Sequence, residues 1–220
     1  KEMLTKELQT KFRSGVGMLL FMVKHSQPDI ANAVRELSKC MGKASYNAYK
    51  ELLRVIKFVL DTPDYGLRLV IKETNTIEDL VQIVTFVDAE WAGDKETQLS
   101  ISGFIIMMQG SLICWRSKAQ QGVTLSSTES KYVLLSDAVQ EVKYSMMMCE
   151  SIGLKVTKPM KIKLDNIGAM FTAEMANATK RTRHVDVKYH YMRQEIENSN
   201  VELEFVRSEN NLTDMFTKNV

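Results

Sequence analysis

The sequence predicts a mixed α/β fold, in which a sheet flanked by helices follows a small helical segment. Residues 1 to about 62 carry apolar side chains at helical spacing, whereas short apolar runs and helical stretches alternate after Pro63. From residue 80 onwards the elements follow the order β-β-β-α-β-α-β-α, with the two helical stretches between the last two strands counted together, and this order is typical of a mixed α/β sheet. With 220 residues, the chain is long enough for one large domain or two small ones.

The first segment contains two helices with clear signals. In "PDIANAVRELSKCM" a proline suits the first turn, where its missing N–H costs nothing. The apolar residues of this helix recur at helical spacing, namely Ile30, Val34, Leu37 and Met41. The segment "SYNAYKELLRVIKFVLD" predicts the next helix, and Pro63 ends it. We expect one side of this helix to carry Leu52, Ile56, Val59 and Leu60.

The remainder predicts strands and longer helices. The strand segments are 65–73, 80–88, 103–109, 111–117, 160–165 and 201–206, and the short "QGS" between the third and fourth suits a hairpin. A long helix is predicted over about 127–152 by apolar residues at steps of 3 and 4, namely Tyr132, Leu135, Val139, Val142, Met146 and Cys149. Further helices are expected over about 166–176 and 184–198, and a short one near 208–214.

Composition excludes several classes of protein. The chain is 45% hydrophobic and 25% charged, as ordinary globular proteins are, and its net charge of +2 does not by itself indicate a partner. The longest strongly apolar stretch, residues 16–23, is about half of the roughly 20 residues that a membrane span needs, so we expect no membrane partner. Three cysteines without metal-binding spacing indicate reduced thiols and an intracellular protein.

Four carboxylates lie where predicted elements begin or end. Asp88 and Asp165 each end a strand, and two parallel neighbouring strands would place both at one edge of the sheet, where open α/β sheets bind ligands. Glu129 falls on the apolar stripe of the long helix, where a lone carboxylate is costly unless it is paired or bound to a cation. Asp214 lies in the opening turns of the last helix.

Each of these carboxylates also has a plain structural interpretation. Ser126 precedes Glu129 by three residues, which is the S-x-x-E pattern of a helix cap, and capping and metal binding can coexist. A single strand-end aspartate can be a solvated terminus, and the helix dipole favours Asp214 where it stands. As a set that always lies at element ends, the four are better explained by a divalent-cation site than by four accidents.

Five blocks of the sequence resemble the ribonuclease H region of copia-type retrotransposon polyproteins. They are "FVDAEWAGD", "GFIIMMQGSLICWRSKAQQGVTLSSTESKY", "KLDNIGA", "RTRHVDVKYHYMRQEIE" and "VELEFVRSENNLTDMFTK". They occur in the family's order, with matching gaps, and the earlier "FRSGVGMLLFMVKHSQPDIANAVRELSK" resembles the connection to the family's polymerase. The resemblance implies a helical, thumb-like polymerase connection over 1–75 and a ribonuclease H domain over 76–220, with a ribonuclease H-like mixed five-stranded sheet.

The resemblance also implies an activity, which is metal-dependent endonucleolytic cleavage of the RNA strand of RNA–DNA hybrids during retroelement reverse transcription. The implied catalytic and metal-binding residues are Asp88, Glu129, Asp165 and Asp214. They would hold two Mg²⁺ ions, for which Mn²⁺ can substitute, because both are hard ions that prefer oxygen ligands. The alternative is a catalytically weak or domesticated nucleic-acid-binding module on the same fold. The implied partners are the hybrid and the polymerase portion of the same polyprotein, in a cytoplasmic virus-like particle and in the nucleus.

Basic residues supply candidates for nucleic-acid binding. One cluster, downstream of Asp165, comprises Lys180, Arg181, Arg183, His184 and Lys188, and it is either a phosphate-binding surface or a solvated helix face. Weaker phosphate candidates are Arg116, Lys118, Ser126 and Thr128. We expect both tryptophans to be buried, and we expect Glu90 and Asp94 to lie on the surface. Lys131 stands where the family tends to have an acid, and we expect this departure to affect no ligand.

Overall fold

The computed structural model describes residues 2–69, 80–166 and 183–218, with the backbone alone described for 183–189. The chain divides into two compact units, Lys1–Arg68 and Leu69–Lys218. The predicted domain boundary at 75/76 lies outside the described residues and stays a prediction. Among the described residues, no helix combines the length and the apolar character that a membrane crossing requires.

The first unit is a small helical domain. Its helices are α1 (Lys6–His25), α2 (Ala31–Lys39), which follows a 3₁₀ turn at Pro28–Ile30, and α3 (Tyr46–Asp61). Thr5 and Ser45 cap α1 and α3, because each side chain accepts a hydrogen bond from a backbone N–H three residues ahead. The buried core of this unit consists of Phe12, Val16, Leu19, Ile30, Val34, Leu37, Ala44 and Leu52. The prediction that Leu60 shares the buried side of α3 was wrong, since its side chain is 72% exposed.

The second unit contains a mixed five-stranded sheet with helices against it, which confirms the predicted fold class. Its strands are β1 (Ile83–Glu90), β2 (Ile101–Met108), β3 (Ser111–Ala119), β4 (Met160–Leu164) and β5 (Val201–Phe205). In space they follow the order β3-β2-β1-β4-β5. The pairs β1–β2 and β2–β3 are antiparallel, whereas β1–β4 and β4–β5 are parallel. The helices are α4 (Ser127–Ser151), α5 (Arg183–Glu197) and the short α6 (Asp214–Thr217).

The core of the second unit forms between α4 and the sheet. All six residues of the predicted α4 stripe are buried, and they belong to the same apolar cluster as Ile83, Phe104 and Ile162 of the sheet. The hairpin predicted at "QGS" joins β2 to β3, and Gln109 and Gly110 in it both have positive φ values. Helical periodicity therefore correctly predicted which residues of α4 are buried.

Several local predictions differ from the structure. Residues 65–69 form no strand, and the rest of the predicted 65–73 strand lies outside the described residues, as does almost all of the helix predicted over 166–176. Trp91 is 49% exposed rather than buried, and its Nε1 donates a hydrogen bond to the Thr124 carbonyl. Asp94 is buried rather than on the surface, because its Oδ1 accepts hydrogen bonds from two backbone N–H groups of its own loop.

Candidate functional site

The parallel pairing of β1 with β4 brings Asp88 and Asp165 to one edge of the sheet. Val87 pairs with Leu164, so the two aspartates are the next residues along neighbouring strands that run in the same direction. Both side chains are largely buried, with 5% of Asp88 and 9% of Asp165 exposed. This part of the predicted site forms as the strand patterns indicated.

Lys131 lies between these two aspartates. Its Nζ is 3.5 Å from Oδ1 of Asp88 and donates a hydrogen bond to Oδ1 of Asp165. The lysine side chain is itself only 15% exposed. Two buried carboxylates in proximity repel each other unless a cation neutralises them, and here the cation is an ammonium group of the protein.

The second oxygen of each aspartate is also engaged. Oδ2 of Asp88 accepts a 2.5 Å hydrogen bond from the Thr217 hydroxyl, and Oδ2 of Asp165 accepts one of 2.8 Å from the Ser208 hydroxyl. Burial raises the pKa of Asp165, but the hydrogen bonds from Lys131 and Ser208 outweigh it, so the pKa of this carboxyl lies below its ordinary value. Asp165 is therefore held in its ionised form.

Asp214 is paired with a second lysine. Lys218 Nζ donates a 2.5 Å hydrogen bond to Oδ2 of Asp214, one helical turn before it. That hydrogen bond raises the pKa of Lys218, and the negative charges of Asp214, Asp88 and Asp165 raise it further against the opposing effect of burial. The short helix α6 and the residue that follows it thus add an aspartate and an ammonium group to the electrostatics of this sheet edge.

Glu129 is in a capping arrangement. The Ser126 hydroxyl accepts a 3.1 Å hydrogen bond from the backbone N–H of Glu129, and Oε2 of Glu129 accepts one of 2.7 Å from the backbone N–H of Leu125. The side chain therefore turns back to the start of its own helix, one residue beyond the usual capping-box partner. Of the two interpretations of Glu129 that the sequence left open, the structure shows capping.

The residues present do not fit the two-metal site that the resemblance implies. Among residues 2–69, 80–166 and 183–218, no three His, Cys, Asp or Glu side chains form a group that could hold a metal ion. All four predicted acids lie within those ranges. The oxygens of Asp88 and Asp165 have protein partners, and although Oδ1 of Asp214 is buried without a hydrogen-bond partner among the described residues, one oxygen does not make a cation site.

Lys131 is the residue whose importance the sequence reasoning missed. The expectation that its substitution affects no ligand was wrong, because its ammonium group contacts both strand-end aspartates. A signal was available in the sequence. Lys131 follows Glu129 by two residues on the same helix and stands where the family tends to have an acid.

The predicted nucleic-acid residues are only partly described. Lys180 and Arg181 lie outside the described residues, and Arg183, His184 and Lys188 lie on α5, whose side chains are not described at these positions. Their role stays a prediction.

The weaker phosphate candidates lie on β3 and at the start of α4. A cleft of about 180 Å³ includes Arg116 and Lys118 on β3 and Asp137 on α4 among its lining residues. Arg116 is paired with Glu141 and lies over the Phe104 ring, which leaves exposed Lys118 as the better placed cation. Ser126 caps α4, and Thr128 lies in its first turn.

Proteins similar to this chain include transposon polyproteins and a protein of Plasmopara viticola. The sequence matches no family profile. It is 30% identical, over 209 residues and 95% of this chain, to the retrovirus-related Pol polyprotein from transposon RE1 of Arabidopsis thaliana, of which it spans 14%. It is 36% identical over 130 residues to secreted RxLR effector protein 161 of Plasmopara viticola, which covers 59% of this chain and 87% of that protein.

Among solved structures, LC11-RNase H1 in complex with an RNA/DNA hybrid has a TM-score of 0.46 and 13% identity, covering 62% of this chain and 94% of that chain. A likeness at this level carries no functional argument.

Family membership follows from sequence. Transposon RE2 of Arabidopsis thaliana encodes a second Pol polyprotein that is 30% identical over 95% of this chain, and here too the chain spans 14% of the relative. The relationship covers both structural units, since 209 of the 220 residues are matched. The chain belongs to the family of retrovirus-related Pol polyproteins of copia-type transposons, and it matches one segment of them.

Proposed function

We propose that this chain is a hybrid-binding ribonuclease H module of a retroelement polyprotein, and that it cuts the RNA strand slowly or not at all. The observation that carries this proposal is the position of the Lys131 ammonium group between Asp88 and Asp165. Family membership supports the retroelement role, and RNA–DNA hybrid is the ligand that the resemblance implies. The polymerase portion of the same polyprotein is the proposed partner, inside the cell.

Chemistry explains why the ammonium group disfavours cleavage. Two divalent ions would supply both an activated water and stabilisation of the leaving oxygen. An ammonium group donates hydrogen bonds but has no open coordination position at which a water molecule could lose a proton. With Lys131 in place, Asp88 and Asp165 neutralise a protein cation rather than act as ligands.

The competing function is the metal-dependent ribonuclease H activity that the resemblance implies, with Asp88, Glu129, Asp165 and Asp214 as ligands. It would require Asp88 and Asp165 to exchange the Lys131 ammonium group for a divalent ion. It would also require Glu129 to leave its 2.7 Å contact with the Leu125 N–H. The two functions share the hybrid as ligand and differ in the fate of the RNA strand.

A single experiment separates them. The whole chain is incubated with an RNA–DNA hybrid labelled on the RNA strand, in Mg²⁺, in Mn²⁺ and in EDTA, while binding is followed by fluorescence anisotropy and cleavage by gel. We expect salt-sensitive binding in all three conditions, because phosphate contacts release counter-ions. We expect the RNA to stay intact. Multiple-turnover cleavage in Mg²⁺ that EDTA abolishes would establish the competing function, and absence of hybrid binding would remove both.

A further inference from the structure

We infer that Lys131 is a built-in counter-ion that takes the place of a divalent cation between Asp88 and Asp165, so that position 131 alone decides whether this edge binds Mg²⁺. The inference deepens the proposed function and rests on it, because it concerns the same carboxylates. It makes a separate claim, however, about cation binding by the protein without nucleic acid.

The carboxylate oxygens of the two aspartates are all engaged by protein groups. Oδ1 of both carboxylates faces Lys131, Oδ2 of Asp88 is bonded to Thr217, and Oδ2 of Asp165 is bonded to Ser208. All four oxygens therefore have a protein partner. A divalent ion would have to displace the ammonium group before either Oδ1 could become a ligand.

Burial strengthens the pairing of Lys131 with the two aspartates. Because Asp88, Asp165 and Lys131 are 5%, 9% and 15% exposed, water screens their charges poorly. Two aspartates in this setting need a positive charge, and a tethered ammonium group is present at every Mg²⁺ concentration. A free Mg²⁺ ion, in contrast, would have to give up part of its tightly held water shell before binding. The lysine therefore prevails in the native chain.

The position of residue 131 on α4 determines which group lies between the two aspartates. The Lys131 side chain enters the space between the strand ends from α4, so a glutamate at this position would direct a carboxylate toward the same two aspartates. Three carboxylates are a ligand set that suits a hard divalent ion. Glu129 does not supply this third carboxylate, because its Oε2 is bonded to the Leu125 N–H.

The test measures cation binding in the absence of nucleic acid by the wild-type chain, by Lys131→Glu, by Lys131→Gln and by a control variant. The matched control is Lys143→Glu, which also places a carboxylate on α4 beside a buried one, since Lys143 pairs with Glu195. Mn²⁺ binding is followed by electron paramagnetic resonance, and melting temperature is compared in EDTA and in saturating Mg²⁺.

We expect Lys131→Glu to bind Mn²⁺ at least about tenfold more tightly than the wild type, with a melting temperature that Mg²⁺ raises by about 2–4 °C or more. The wild type and Lys143→Glu should show no Mg²⁺-dependent shift. Lys131→Gln should melt below the wild type in EDTA, because its two aspartates then lack a cation.

Each other outcome has a defined meaning. Equal Mn²⁺ affinity in the wild type and in Lys131→Glu would overturn the inference, as would a folded Lys131→Glu protein that binds no Mn²⁺. If Lys131→Glu folds only when Mg²⁺ is present, the inference is supported; if it stays unfolded with Mg²⁺, a cation cannot take the place of the ammonium group and the inference fails. Because no hybrid is present, failure of hybrid binding would affect the proposed function and leave this result unchanged.

Discussion

The Thr217 hydroxyl donates a 2.5 Å hydrogen bond to Oδ2 of Asp88, although 129 residues separate the two along the chain. This contact attaches the last described helix, α6, to the end of the central strand β1. Asn211 adds a second attachment, because its side-chain amide donates a 2.9 Å hydrogen bond to the Val87 carbonyl. The C-terminal segment therefore helps to position the carboxylates at the sheet edge.

Replacing Thr217 with valine should lower the free energy of unfolding by about 1–3 kcal/mol, because a buried carboxylate loses a donor while the shape of the side chain is kept. Thr217→Ser, which retains the hydroxyl, is the control and should lose less. Urea unfolding of the three proteins provides the measurement. A valine variant as stable as the wild type would show that Asp88 does not depend on this donor.

Gly103 should tolerate no side chain. A Cβ at this position would lie 2.9 Å from the Cβ of Phe216 and 2.9 Å from Cγ2 of Thr217, closer than such atoms approach. Gly103→Ala should therefore displace α6 from β2 and destabilise the fold by about 1–3 kcal/mol. Gly122→Ala is the control, because no atom lies within 4 Å of its Cβ position. Equal melting temperatures for the two variants would contradict the close packing of α6.

Glu129 should behave as a helix cap. Glu129→Gln keeps an oxygen acceptor for the Leu125 N–H and should change the free energy of unfolding by less than about 0.5 kcal/mol. Ser126→Ala removes the hydroxyl that caps α4 and should cost about 0.5–2 kcal/mol. Thermal unfolding measures both. If instead the glutamine variant lost Mg²⁺-dependent cleavage that the wild type possessed, Glu129 would be a ligand and the capping interpretation would be incomplete.

Asp165→Asn should lower the melting temperature near neutral pH, since Lys131 loses its hydrogen-bonded carboxylate. The pKa of Asp165 lies below its ordinary value of 3.8, so its ionised form stabilises the folded state. That stabilisation is present at pH values above the pKa that Asp165 has in the unfolded chain. It is lost as pH falls through the lower pKa that Asp165 has in the folded state.

The stability difference between wild type and Asp165→Asn should therefore be constant near neutral pH and should shrink in strong acid. Thermal unfolding of both proteins across this pH range gives the measurement. A variant that melts higher than the wild type would indicate that carboxylate repulsion, rather than pairing with Lys131, dominates at this edge.

The basic cluster has a test that needs no knowledge of its structure. Neutralising Lys180, Arg181 and Arg183 together should weaken hybrid binding and reduce the slope of log affinity against log salt by about one unit for each phosphate that the protein no longer neutralises. The control neutralises three exposed lysines at or before the first residues of β4, at the end of the strand away from Asp165. These are Lys155, Lys158 and Lys161. If both triple variants had the wild-type slope, the cluster would be a solvated helix face.

Much of the fold was predictable because local periodicity reflects burial. The α4 stripe at steps of 3 and 4 is buried throughout, and the strand patterns correctly placed Asp165 directly after β4. They ended β1 at Asp88, whereas the observed strand continues for two more residues to Glu90. The S-x-x-E signature at Ser126 and Glu129 corresponds to an observed cap. Local predictions were wrong where exposure depends on distant segments: Leu60 is exposed and Asp94 is buried.

The sequence by itself determined the elements and the residues at their ends, because helix caps and strand alternation depend on neighbours a few positions away. Only the tertiary structure decided which charges meet. Lys131 contacts aspartates that are 43 and 34 residues away along the chain, and this requires the β1–β4 pairing and the packing of α4 on the sheet together. Which cation neutralises these aspartates is thus a property of the assembled fold, since a buried carboxylate pairs with the cation that is nearest in space rather than in sequence.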